Sequence, residues 1–262
     1  DPYNKEIEQF NEMDYVTIGG IISSYNGNLQ LNIKTISVAS SDAYEIADYL
    51  PTSEHDIEIM YKELLSLIEL VENTHLHSLL ASLFIDNEKF IKRFKSSSAA
   101  ASVHHAFVGG LLEHTLNVAR TCNQLRSTYT NLNYDLLITS AILHDVGKVK
   151  ELSEFPENKF TNEGNLLGHI MIGCELINEK ARQSGDFPKY LLDELKHCII
   201  AHHGKLEYGS PKTPALAEAL ALTFADDLDA KLQIFKESVK NAAEDEWVYN
   251  KYIGNHIRST LS

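Results

Sequence analysis

The chain has 262 residues, 44% of them apolar, and a formal net charge of −14. That is enough chain for one large domain, or a domain with a smaller module, and enough apolar surface for a packed core. The acidity argues against a broad basic surface for duplex DNA, no apolar run is long enough to span a bilayer, and the polar opening DPYNKEIEQF cannot act as a secretion signal. The opening also lacks an initiator Met, which points to a chain without its natural start. Cys122, Cys174 and Cys198 form no CxxC pair, so reduced, buried thiols in a cytoplasmic protein are expected.

The first segment reads as β. Tyr15 to Ile18 leads to Ile21, Ile22 and Tyr25. Asn26-Gly27 supplies a tight hairpin turn, and Leu29, Leu31 and Ile33 alternate with polar residues. One hairpin cannot bury itself and needs partners. From about Ser53 the period becomes helical. Ser53 and Asp56 offer an N-cap, and Ile57, Met60, Leu64, Leu67, Ile68 and Val71 form a stripe. Helices are expected over Asn73–Ile85 and, short and basic, over Glu88–Lys95, whose Lys89, Lys92, Arg93 and Lys95 could guide a nucleic-acid strand or simply form a solvated face. An amphipathic helix follows over Leu111–Leu125. Leu136–His144 is apolar on nearly all sides and should be a central buried helix ended by Gly147. Leu166–Ala181 and Leu191–His203 come next, and Pro214 opens a long last helix through Ala230. No strand pattern is apparent after the hairpin.

The chemistry lies in side chains that break these apolar patterns. His144-Asp145 closes the buried helix, where an uncompensated carboxylate is costly, and a metal ion would compensate it. The alternative is a His near the negative end of the helix dipole beside a solvated Asp. His114 shares the apolar face of its helix with Leu111 and Val118; alone it would read as a satisfied core histidine. Glu113 points elsewhere on the wheel. His169, the pair His202-His203, and Asp226 with Asp229 on one helix face complete the set, while Asp227 falls on a solvated face. Imidazole and carboxylate donors from several helices suit Mn, Fe, Zn or Mg, and helical bundles build metal sites from such inward-pointing side chains.

The order His114…His144-Asp145…Asp226, with His169 and His202 between, resembles the HD superfamily of metal-dependent phosphohydrolases and its dinuclear members. The wording around it is more specific. His104-His105-Ala106-Phe107-Val108-Gly109-Gly110-Leu111-Leu112-Glu113-His114, Leu143-His144-Asp145-Val146-Gly147-Lys148, Gly164-Asn165-Leu166-Leu167-Gly168-His169 and His202-His203-Gly204-Lys205-Leu206-Glu207-Tyr208-Gly209-Ser210-Pro211 resemble the YhaM family of 3′→5′ exoribonucleases, also described as plasmid-enhancer-binding factors. The resemblance extends to Ala225-Asp226-Asp227-Leu228-Asp229-Ala230-Lys231. Ser98 and Ala101 stand where the family pattern has a Pro and a Lys, a departure that touches one substrate contact but not the metal site.

The resemblance implies a mainly α fold. An HD-domain helical bundle over residues 51–262 would be preceded, over residues 1–50, by a partial β segment that is the remnant of an OB-fold. It implies a first metal on His114, His144, Asp145 and Asp226, with Asp145 bridging to a second on His169 and His202, and His203 either a further ligand or a group behind them. The cofactor would be one or two divalent ions, Mn first and Fe, Mg or Zn otherwise. Asp145 and Lys148 would be catalytic, and His104, His105, Lys148 and Asp229 would meet the substrate. Two ions about 3.5–4 Å apart would activate water and clamp a phosphodiester. The implied partner is single-stranded RNA or DNA, or a nucleotide, with no membrane and with an oligomer left open. Two other readings stay open: a phosphohydrolase of cyclic dinucleotides or mononucleotides, which the acidity suits, and a nucleic-acid-binding factor without turnover.

Overall fold

A computed structural model describes residues 7–26, 28–44, 48–101, 105–243 and 245–260. The chain divides into two compact units, Asp1–Pro51 and Thr52–Ser262. The mainly helical architecture is as the sequence implies.

In the first unit, β1 (Val16–Tyr25) pairs antiparallel with β2 (Asn28–Val38), running from Val16 opposite Val38 to Tyr25 opposite Asn28. Asn26 takes a positive φ of 50° at the turn, and Gly27 lies outside the described residues. The register shifts between Gly19 and Gly20, a bulge that sharpens the local twist. Tyr15 stacks on Tyr44 with centroids 4.1 Å apart. Ile21, Ile22, Leu29, Leu31 and Ile33 all remain exposed, so the alternation of apolar residues specifies strands here without specifying a core.

In the second unit the helical periodicity does specify a core. α1 (Ile57–Ile68) is capped by Asp56, whose side chain accepts from the Ile59 N–H at 2.9 Å, and it buries Met60, Leu64, Leu67 and Ile68. Ser53 is not the cap; its hydroxyl donates to Glu113 at 2.6 Å. α2 (Thr74–Phe84) is capped by Asn73, and α3 (Glu88–Ser96) by Asn87. α4 (Gly110–Leu125) lies against α1, α5 and α9. α5 (Tyr134–Leu143) buries every residue from Leu136 to Leu143 and is the centre of the bundle. α6 (Lys148–Glu151) is a single turn packed on α7 (Asn162–Ser184), and α8 (Lys189–Ala201) and α9 (Ala217–Val239) close the bundle. α9 starts three residues after Pro214, at Ala217. A short hairpin, β3 (Val248–Asn250) with β4 (Asn255–Ile257), follows where no strand was expected. Among the described residues no helix is long and apolar enough to cross a membrane.

Two glycines set the geometry around α6. Gly147 has right-handed φ and ψ of −65° and −22°, so it is not the left-handed helix end that its position in the sequence suggests. A Cβ there would lie 2.0 Å from the carbonyl oxygen of His169, so glycine is needed for the turn after α5 to press onto the backbone of α7. Gly168 breaks α7 with φ 71° and ψ 160°, outside the helical region and open to glycine, and this break sets the direction of His169.

Candidate metal centre

Five histidines converge from four elements. His114 projects from α4, His144 caps α5, His169 follows the break in α7, and His202 and His203 follow the end of α8. Asp145, next to His144, and Asp226 on α9 complete the set. Each imidazole is held through Nδ1, which donates to Asp229 from His114 (2.7 Å), to the Ala141 carbonyl from His144 (2.8 Å), to Glu151 from His169 (3.1 Å), to the Ile199 carbonyl from His202 (2.6 Å), and to the Tyr208 carbonyl from His203 (2.9 Å). In a neutral ring whose proton sits on Nδ1 the lone pair lies on Nε2, the form that binds metals.

The Nε2 atoms meet around Asp145. Its Oδ2 is 3.4 Å from Nε2 of both His114 and His144, and its Oδ1 is 3.4 Å from that of His169 and 3.8 Å from that of His202. Asp226 Oδ1 lies 3.2 Å from His114 Nε2. Two groups of donor atoms result, His114 with His144 and Asp226, and His169 with His202 and His203; within each group the donors lie within 4.8 Å of one another. The two oxygens of Asp145 face one group each.

The electrostatics favour a cation. Burial alone would raise the Asp145 carboxyl, but the Lys148 ammonium, 2.7 Å from Oδ2, and His144 hold it well below the usual carboxylate range. Asp226 and Asp229 are likewise buried, yet hydrogen bonds from His114 and, for Asp229, His105 keep both ionised. Burial would push His114 down, but Asp145, Asp226 and Asp229 lift it well above its ordinary value. His202 is held neutral by burial and by His203 and His144, and His203 is lowered by burial and by His169. Asp145 Oδ1, His169 Nε2 and His202 Nε2 are buried atoms without a hydrogen-bond partner among the described residues. Each such orphan costs about 1–3 kcal/mol. Two imidazole nitrogens and one ionised carboxylate oxygen, all lacking a hydrogen-bond partner, fit a divalent ion, and with no thiolate among them they suit Mn, Fe, Zn or Mg.

The remaining expected residues fall in different places. Lys148 lies at the wall of a 240 Å³ pocket with His114, Asp145, His202, Thr223 and Asp226. His105 is completely buried; its Nε2 donates to Asp229 at 2.9 Å, and its Nδ1 is 3.8 Å from Glu113. Asp229 is therefore engaged by two imidazoles beneath the centre. His104 lies outside the described residues. Asp227 is exposed and pairs with Lys231 at 2.7 Å, as its face of the helix suggests. Glu113, expected either behind the ligands or in solvent, is buried, accepts from Ser53 and lies behind His105. In the basic helix α3, Arg93 donates to the carbonyls of Val149 (3.2 Å) and Leu152 (2.5 Å) and Lys95 pairs with Glu58, so these two cations brace the fold.

Glu151 was not among the expected site residues. It accepts from both the backbone N–H (2.9 Å) and Nδ1 (3.1 Å) of His169, and His169 keeps its carboxyl low against the pull of burial. The available signal was its spacing: three residues beyond Lys148, it shares a helix face with that lysine.

Comparison with known proteins came to the same region. The HD domain family matches residues 111–231. The 3′-5′ exoribonuclease YhaM of Geobacillus sp. (strain WCH70) is 34% identical over 238 residues, covering 90% of this chain and 72% of the relative. The 3′-5′ exoribonuclease YhaM of Bacillus pumilus (strain SAFR-032) is 34% identical over 234 residues, covering 88% and 73%. No solved structure matches.

Proposed function

The chain belongs to the YhaM family of HD-domain proteins, and we propose on that premise that it is a metal-dependent 3′-5′ exoribonuclease, hydrolysing the phosphodiester bonds of single-stranded RNA from the 3′ end. The observation that carries this reading is Asp145, whose two oxygens face two separate groups of Nε2 donors. His114, His144, Asp145 and Asp226 would hold one divalent ion, and Asp145, His169, His202 and His203 a second, with Mn the first candidate and Fe, Mg or Zn the others. Bound there, the ions supply Lewis acidity toward a phosphoryl oxygen and a lowered pKa for a coordinated water.

The chain's own residues do the rest. Lys148, anchored on Asp145 and lining the pocket, places a cation where charge gathers on the non-bridging oxygens of the phosphate, an interaction that strengthens toward the transition state. The five Nδ1 anchors fix ring orientation and tautomer, so the donors need no rearrangement. His105, which has no exposed surface, and Asp229, engaged by both imidazoles, would serve beneath His114 as its support rather than as substrate contacts. Residues 1–50, as the end of an OB-fold, would offer the exposed Tyr25 to a single strand, whereas Tyr15, also expected there, is taken up by Tyr44. The reduced, buried cysteines, with thiols pushed up by burial, agree with a cytoplasmic location.

The test is a metal count per chain together with the product ladder from 5′-labelled single-stranded RNA. Bound metal and stepwise shortening that releases mononucleotides support the reading; bound metal with no shortening refutes it. The net charge of −14 favours a second reading, hydrolysis of a cyclic dinucleotide or mononucleotide, and the same protein with those substrates and Mn decides between them.

A further inference from the structure

A second and larger cavity adjoins the metal centre, with a volume of about 630 Å³. His169 and His203 form part of its wall, and Tyr208 lines both this cavity and the 240 Å³ pocket that contains Asp145 and Lys148. The two spaces differ in chemistry. The smaller one is walled by the charged side chains of the centre and suits a phosphate. The larger one is lined by Leu167, Met171, Ile200 and Tyr208, with Asn178, Lys196 and the carboxylates of Glu151 and Glu175 as polar groups beside the two histidines. Leu167, Met171 and Tyr208 are large apolar residues that remain exposed. Lys196 is half-buried and forms no ion pair among the described residues.

We propose that this cavity receives the base and ribose of the 3′-terminal nucleotide, with Tyr208 as the stacking surface; the proposal rests on the exoribonuclease reading above. A volume of about 300–1,000 Å³, mostly apolar with a few polar groups, is the usual form of a small-ligand site. A flat aromatic ring beside aliphatic side chains accepts any base, because every base has a π-face and stacking does not depend on its hydrogen-bonding edge. That tolerance is what an enzyme removing nucleotides in succession requires. The site's position fits as well: a scissile phosphate between Lys148 and the histidines puts the released nucleotide on one side, and the His169–His203 wall leads from that phosphate into the cavity. Lys196 and Asn178 offer donors to base carbonyls or ribose hydroxyls.

The proposal is tested with two RNA oligonucleotides of the same sequence, one lacking only its 3′-terminal base. The metal-loaded wild-type protein should favour the base-bearing strand about tenfold or more in kcat/KM, the scale of one stacked base. Tyr208→Ala should cut that advantage to less than about threefold, as should Met171→Trp, which fills the cavity. Using the ratio removes any general loss of activity from the comparison. Equal rates on the two strands in the wild-type protein would overturn the cavity assignment and leave the exoribonuclease reading standing. Should neither strand be cleaved, the exoribonuclease reading fails, and equilibrium binding of uridine 5′-monophosphate against ribose 5-phosphate decides for the cavity. A preference for the base-bearing ligand that Tyr208→Ala removes upholds it; equal binding rejects it.

Discussion

His114 and Asp226 stand within α4 and α9 and His144 at the end of α5, three helices packed on one another, and the two histidines are buried to 2% and 0% exposure, as His202 is to 1%. His169, His202 and His203 stand instead after the break at Gly168 and at the end of α8, beside the larger cavity. The supports differ in the same sense. On the first side, Asp229 lies under His114 and, behind it, the largely buried cluster of His105, Glu113 and Ser53, with His105 Nδ1 3.8 Å from Glu113, while His144 rests on the Ala141 carbonyl. Under the second lie two backbone carbonyls and the single carboxylate of Glu151. Two of the three donors on the first side, His114 and Asp226, thus lie within packed helices, whereas all three on the second follow a helix break or end, and the first side should hold its ion more tightly and exchange it more slowly.

The largest effect should come from the residue the two sides share. Asp145→Ala is expected to leave less than about a tenth of the wild-type metal and no measurable hydrolysis, since it removes the carboxylate both sides use. Elemental analysis of protein shown by circular dichroism to be folded reads this directly. Full metal content in that variant would break the picture of a shared bridge.

The comparison sharpens with one variant on each side. Asp226→Ala should remove the first ion and His202→Ala the second, each leaving about one ion per chain where the wild type holds two. If either variant lost both ions, the two sides would be one cooperative site. Smaller effects are expected from the supports. Asp229→Asn should weaken the tighter site, and Glu151→Gln the looser one, by about 10–100-fold in metal affinity. Titration of Mn into each apo variant, followed by isothermal calorimetry, checks both the size and the side.

The difference between the two sides also explains what could be read in the sequence. His114, His144, Asp145 and Asp226 are legible because each is a polar residue on the buried face of an apolar helix, and burial there demands a partner. His169 is legible as a histidine early in its helix, but its direction is not, because Gly168 turns it out of the helical period that would otherwise place it. Glu151 and the chain from Ser53 to Asp229 act through partners more than a dozen residues away, which no local period records. Arg93 has the spacing of a solvated cation, yet two carbonyls take its donors. Gly147 reads as a helix end and acts as a close contact. The strands β3 and β4, at three residues each, are too short to show alternation. The β1–β2 hairpin shows the opposite limit: its alternation is plain in the sequence, but alternation says which residues share a face, not what covers that face.

The smallest expected effect is the response to pH, and its sign separates the two sides. A ligand imidazole must give up its Nε2 proton before a metal can take that position. His114 is the imidazole that its carboxylate neighbours hold well above the ordinary value, so in the metal-free protein it carries that proton through neutral pH. Metal entry on the first side must displace it, and affinity there should fall as pH falls, by at most about tenfold per unit. His202 and His203 are held below the ordinary value, so these two ligands should add little pH dependence on the second side until the pH drops well below neutrality. His202→Ala isolates the first side and Asp226→Ala the second, and Mn affinity measured for each between about pH 6 and 8 gives the two slopes. A first side that is flat with pH would mean that His114 is neutral before the metal arrives. The carboxylates around it would then be balanced by Lys148 and the remaining histidines, and the tighter site would owe its strength to packing alone.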